Sequence, residues 1–108
     1  MKVEPCEIIR FYVPTAANPR AVVNVLRGGY TKWLGHGVWT AQGQVVQEAV
    51  EIYEWVRSGN VMPTVDIHQI MRIVAFQYMR DNPREQEFLA MRVSPSPFCV
   101  TLNRKDLE

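Results

Sequence analysis

The stretch Tyr30-Thr31-Lys32-Trp33-Leu34-Gly35-His36-Gly37-Val38-Trp39-Thr40, then Ala41-Gln42-Gly43-Gln44, then Val45 to Val56, decides the reading of this chain. Its first part is rich in β-branched and aromatic residues. The middle four residues carry turn chemistry, with Gly43 free to take positive φ. Val45 to Val56 then alternates. Two long strands around a short turn make a β-hairpin. Gly35 and Gly37, on either side of His36, predict a bulge or a close backbone approach in the first strand. Alternation sets Glu48 and Glu54 on one face of the second strand and Glu51 on the other.

Toward the N-terminus, Glu7-Ile8-Ile9-Arg10-Phe11-Tyr12-Val13 reads as a strand that ends at Pro14. Ile9, Phe11 and Val13 share one face, and Ile8, Arg10 and Tyr12 share the more polar one. Asn18-Pro19 predicts a helix start, with asparagine as cap and proline at the first helical position. Val22, Val25 and Leu26 follow at helical spacing, and Gly28-Gly29 ends this short helix.

Toward the C-terminus, Arg57-Ser58-Gly59-Asn60 closes the hairpin and Val61-Met62-Pro63-Thr64 leads into a second helix. Thr64 or Asp66 is its expected cap. Ile67, Ile70, Met71, Val74 and Tyr78 form its apolar stripe, widened by Ile73, and it ends near Asp81-Asn82-Pro83. Glu87 to Val93 reads as a strand, and Ser94-Pro95-Ser96-Pro97 breaks it. Phe98 to Leu102 is a short further strand or an extended return, and a charged tail starts at Asn103.

Strand, helix, hairpin, helix, strand is the βαββαβ order, and over residues 7–93 the chain resembles the ferredoxin-like (split βαβ) superfold in that order of elements. The resemblance implies an α+β two-layer sandwich, an antiparallel sheet with both helices on one face and the first and third strands in the middle. The chain also resembles small bacterial and phage proteins of unknown function. The shared residues are Gly29-Tyr30-Thr31, Gly35-His36-Gly37-Val38-Trp39, and the acidic strand with Glu48, Glu51 and Glu54. That likeness implies a phage or mobile-element origin and supplies no activity.

At 108 residues, 47% of them hydrophobic and 21% charged, the chain is expected to be one domain, with a core over about residues 7–102. A formal charge of +1 argues against a nucleic acid-coating protein and against an acidic mimic of DNA. No apolar run approaches the roughly 18–20 residues of a membrane span. Met1-Lys2-Val3-Glu4-Pro5 starts no signal peptide, so a cytoplasmic location is expected. Cys6 and Cys99 have neither metal nor redox spacing, and a bridge between them requires the two ends of the chain to meet. Leu107-Glu108 reads as a cloning remnant.

His36 is the first candidate for chemistry, either as a general acid/base or ligand-binding histidine or as a solvated histidine at a bulge. Tyr30, Trp33 and Trp39 are the residues to wall a ligand pocket around it. Glu48 is the second candidate, in a His36–Glu48 dyad or a cross-strand ion pair with Lys32. A metal site would need His36 and His68 to converge with Cys6 or a carboxylate, spacings that do not favour it, and no cofactor is implied. Arg80, Arg84 and Arg92 read as a solvated face. Tyr12, Tyr53 and Trp55 are expected on the helix-free face of the sheet, where they form an interface with a second copy or another protein.

The reading reached is a small, non-catalytic binding or regulatory protein that acts through a partner or self-association surface, expected as a homodimer. Two others stay open. One is a small enzyme or ligand-binding domain of the dimeric α/β-barrel kind, with its pocket near His36, Trp39 and Glu48. The other is a single-stranded nucleic-acid binder that uses the sheet aromatics, although the charged Gly-Phe signature of RNA-binding sheets is missing.

Overall fold

The computed structural model describes residues 1–58, 63–85, 87–94, 98–101 and 104. The run 59–62 after the hairpin, the breaker at 95–97 and the tail end at 105–108 lie outside the described residues. The elements are β1 (Lys2–Pro14), α1 (Arg20–Val25), β2 (Thr31–Ala41), β3 (Gln44–Ser58), α2 (Thr64–Asp81), β4 (Leu89–Ser94) and β5 (Phe98–Thr101). The main sheet has the order β2-β3-β1-β4, with every neighbouring pair antiparallel. This is the α+β, ferredoxin-like arrangement expected from the element order, with β1 and β3 central. The return at residues 98–101 does pair: β5 lies antiparallel to the first residues of β1, with Lys2 opposite Thr101 and Pro5 opposite Phe98. No described helix is long and apolar enough to cross a membrane.

The hairpin turn carries positive φ at both Gln42 (53°) and Gly43 (78°), as a two-residue type I′ connection requires. From Thr31↔Glu54 to Ala41↔Gln44 the β2–β3 register runs without a shift, so the glycines beside His36 mark no bulge. They serve close approach instead, by side chains rather than backbone. Ile52 crowds Gly35, and the Trp39 ring crowds Gly37.

The helices differ from expectation at their starts. Pro19, expected inside α1, stands at its cap, and the Asn18 side chain accepts the Arg20 amide (3.0 Å) from one position earlier. Pro63 holds the cap position of α2, with no side-chain cap, while Asp66 sits in the first turn near the positive end of the helix dipole. Asn82 ties the two helices together. Its Oδ1 accepts from the Asn18 amide (2.7 Å), and its Nδ2 donates to the carbonyls of Asn18 (3.0 Å) and Tyr78 (2.9 Å). Arg20 and Asp81 pair beside it.

The core gathers Ile9, Phe11 and Val13 of β1, Tyr53 of β3, Ala21, Val22 and Leu26 in and just after α1, and Ile67, Val74 and Tyr78 of α2. Ile70 and Met71 pack partly against it, but Ile73, expected to widen the stripe, is exposed. The helices therefore cover the face of β1 that bears Ile9, Phe11 and Val13.

Candidate functional site

Residues directly opposite in an antiparallel ladder share a face, so the register sorts the side chains of the sheet. Phe11 stands opposite Tyr53, Ile9 opposite Trp55 and Val13 opposite Glu51. These belong to the helix-covered side. Arg10 stands opposite Glu54 and Tyr12 opposite Ile52. In β2, Trp33 faces Ile52, Gly37 faces Glu48 and Trp39 faces Val46; in β4, Leu89 faces Tyr12 and Met91 faces Arg10. These form the helix-free side.

This corrects the expected interface set. Tyr12 is on the helix-free face, where its hydroxyl meets Met91 Sδ at 3.3 Å. Tyr53 and Trp55 are on the other one. Tyr53 is only 2% exposed and belongs to the core; its hydroxyl donates to Glu51 Oε2 (2.6 Å), and its ring tilts against Tyr30 at 5.4 Å. Trp55 packs half-buried against the core with the Arg57 guanidinium 5.0 Å from its ring. Opposite Phe11 and Ile9, neither ring can reach the open face. The nucleic-acid reading, which leaned on both, loses its stacking platform there.

The pocket expected around His36 is also divided. His36 stands opposite Ala49, on the same side as Leu34 and Glu51, and its Nε2 lies 3.2 Å from Gln47 Oε1 in an exposed position. Glu48 projects from the other side of the hairpin, which removes the His36–Glu48 dyad. Lys32 likewise meets Glu51 (3.9 Å) and not Glu48. Tyr30 leans on Tyr53, whereas Trp33 and Trp39 both lie on the helix-free face, so the three aromatics wall no common pocket. His68 is exposed on α2, and among the described residues no three His, Cys, Asp or Glu side chains gather to hold a metal ion. Register sets Cys99 opposite Glu4 and the buried Cys6 opposite Ser58.

Arg92 is not part of a solvated face. It lies 3.4 Å from Glu7 Oε2, and Arg57 lies 3.1 Å from Glu7 Oε1, with the Glu7 side chain fully enclosed. The sequence carried a signal for this, since Glu7 has the same parity in β1 as Ile9, Phe11 and Val13.

What remains on the helix-free face is mostly apolar. Trp33 (37% exposed), Trp39 (39%), Val56, Leu89 and Met91 are open to solvent around half-buried Tyr12 and Ile52. Arg10 crosses this face with its guanidinium 5.5 Å from the Trp33 ring and its Nε donating to Glu54 Oε1 at 2.9 Å. That hydrogen bond, opposed by partial burial, leaves the Arg10 guanidinium an even weaker acid than usual.

At the far end of the same face lies a cleft of about 210 Å³. Tyr12, Trp39 and Leu89 supply apolar wall, and Glu48, Glu85 and Glu87 supply carboxylates. Burial, and then the neighbouring Glu85, hold the Glu48 carboxyl above the ordinary carboxylate range.

No family model matches the chain, and no curated protein does. Among solved structures, the chain is similar to the PII-like protein CutA from Nostoc sp. PCC 7120 in its apo form. The two are 16% identical over 81% of this chain and 80% of that one, with a TM-score of 0.49. It is also similar to a Bacillus cereus protein related to NIF3, 12% identical over 89% of this chain but only 28% of that one, with a TM-score of 0.52. The second likeness supports the fold and carries no activity across.

Proposed function

We propose that this protein is a non-catalytic binding protein that works through self-association, with the helix-free face of the sheet as the contact surface and a second copy of the chain as partner. The observation that carries this reading is the composition of that face. Trp33, Trp39, Val56, Leu89 and Met91 are exposed together on one surface that neither helix covers. Large apolar side chains gathered on one open face favour an interaction site over the scattered apolar exposure of an ordinary monomer.

The hairpin adds to it. β1 pairs with β3 only as far as Pro14↔Val50, whereas β2 and β3 continue together from Gly37↔Glu48 to Ala41↔Gln44. A two-stranded arm is marginally stable alone. This one exposes Val38 and Val45 on one side and Trp39 on the other, so both of its sides gain from being covered.

Sedimentation velocity over a dilution series tests the reading. The expected result is a dimer that persists to low micromolar concentration, which Trp33→Ala combined with Met91→Glu converts to a monomer of unchanged circular dichroism. A wild-type monomer throughout the series overturns it. So does a double variant that still dimerises.

A further inference from the structure

The helix-free face contains the same side-chain pattern twice. Trp33 stands opposite Ile52, and Glu54 lies two residues beyond that partner; Trp39 stands opposite Val46, and Glu48 lies two residues beyond it. Each tryptophan thus has a glutamate at the same diagonal position across the hairpin, within reach of a long side chain. In the first copy of the pattern the chain supplies a cation from β1. Arg10, opposite Glu54, donates Nε to that carboxylate at 2.9 Å and sets its guanidinium 5.5 Å from the Trp33 ring.

In the second copy β1 supplies no such cation. The β1 ladder runs Arg10↔Glu54, Tyr12↔Ile52, Pro14↔Val50, and its continuation would bring residue 16 opposite Glu48. The strand ends at Pro14, where the chain turns as Ala17 N donates to the Pro14 carbonyl (2.9 Å). What occupies the vacated side of Glu48 is the cleft. Its walls add Glu85 and Glu87, and among the described residues no basic side chain lines it and none of its three carboxylates makes an ion pair. Nearby, the buried Tyr78 ring packs on Phe88 at 5.1 Å, the residue between Glu87 and Leu89, and its hydroxyl has no hydrogen-bond partner among the described residues.

We propose that the cleft beside Trp39 and Glu48 binds an alkylguanidinium group from outside the chain, in the arrangement that Arg10 makes with Trp33 and Glu54. A guanidinium fits better than an ammonium because it is planar, weakly hydrated, stacks on an indole and pairs with a carboxylate through two donors. At about 210 Å³ the cleft is smaller than the roughly 300–1,000 Å³ of drug-sized pockets and suits one side-chain-sized group. The walls all come from one chain, but Trp39 and Leu89 also belong to the face proposed above for self-association, so the titration is run in parallel on the Trp33→Ala/Met91→Glu double variant, in which the cleft residues are intact and the same shift is expected.

The test is titration of the wild-type protein with butylguanidinium, followed at the indole N–H signal of Trp39 by nitrogen–proton correlation NMR, with Trp39→Phe to assign that signal. Neutral butylurea, of nearly the same shape, is the control. The expected result is a saturable shift with the cation and none with the urea, with affinity about tenfold weaker in Glu48→Gln. An equal response to butylurea, no saturable shift with butylguanidinium, or unchanged affinity in Glu48→Gln overturns the proposal. N-acetyl-arginine methylamide separates the two sources of such a group. Binding as tight as butylguanidinium supports an arginine side chain of a partner protein, and its exclusion while butylguanidinium binds supports a free alkylguanidine.

Discussion

Gly37 lies against the indole of Trp39: a Cβ at residue 37 would fall 2.5 Å from Cζ3 of that ring. The glycine therefore lets a large aromatic fold back along its own strand toward Glu48, which stands directly opposite residue 37. Gly37→Ala must displace the ring, and because Trp39 is partly exposed the ring has somewhere to go. The expected outcome is a red-shifted tryptophan emission and a stability loss of about 1 kcal/mol, at the mild end of overpacking costs. Fluorescence and urea unfolding of the same sample check it; an unshifted emission would mean that the ring does not rest on Gly37.

The hairpin, both helices and their order were legible because hydrophobic period and turn chemistry are local properties. Which face of β3 the helices cover was not. Alternation correctly grouped Tyr53 with Trp55 and Glu51, and Glu48 with Glu54, but it does not say which group turns inward. That is decided by Phe11 standing opposite Tyr53, a register between strands more than forty residues apart in sequence. A one-residue slip would exchange the two faces entirely. The same uncertainty concealed the open-face role of Trp33 and Trp39, whereas the His36–Glu48 dyad is excluded by the hairpin register, which sets His36 opposite Ala49 and Gly37 opposite Glu48. Glu7 was legible by parity within β1, since it falls in step with three core residues; only its arginine partners needed the fold.

Because Tyr12 and Tyr53 lie on opposite sides of the sheet, truncating each has a different effect. Tyr53→Ala empties a core position between Phe11, Tyr30 and the helices and is expected to cost about 3–5 kcal/mol. Tyr12→Ala removes a half-buried ring from the open face and should cost about 1 kcal/mol, while weakening self-association. Denaturant midpoints and sedimentation on both variants check this. A larger stability loss for Tyr12→Ala would reverse the assignment of faces.

Glu7 is the one fully buried charged side chain among the described residues, held between Arg57 and Arg92. Its removal leaves two guanidinium groups with no carboxylate between them, so Glu7→Ala is expected to cost about 3 kcal/mol, the lower end for a broken buried pair because both arginines keep some solvent contact. Replacing Arg92 with Met in that background removes one of the two guanidinium groups. The double variant should then be more stable than Glu7→Ala alone, as a thermodynamic cycle of urea midpoints would reveal. If the effects simply add, Glu7 and Arg92 are not coupled.

Alkaline pH probes the core through two tyrosines. Burial, and then the negative charges of Glu85 and Glu48, push the Tyr78 hydroxyl up to about 12; burial and the Glu51 contact raise Tyr53 as well. In the unfolded chain both titrate near the ordinary value of about 10. Above that pH the folded state binds more protons than the unfolded one, so stability, intact at neutral pH, falls as pH rises from about 10 through about 12. Tyr78→Phe removes one of these protons and should flatten the decline. It also removes a hydroxyl that is buried without a partner among the described residues, so at neutral pH the variant is expected to be as stable as the wild type or up to about 1 kcal/mol more stable. Urea unfolding at neutral pH and at steps above pH 9, with phenolate absorbance followed in parallel, reads both effects. A Tyr78→Phe variant that loses about 1 kcal/mol at neutral pH would show that the hydroxyl is bonded in solution and that its burial is compensated.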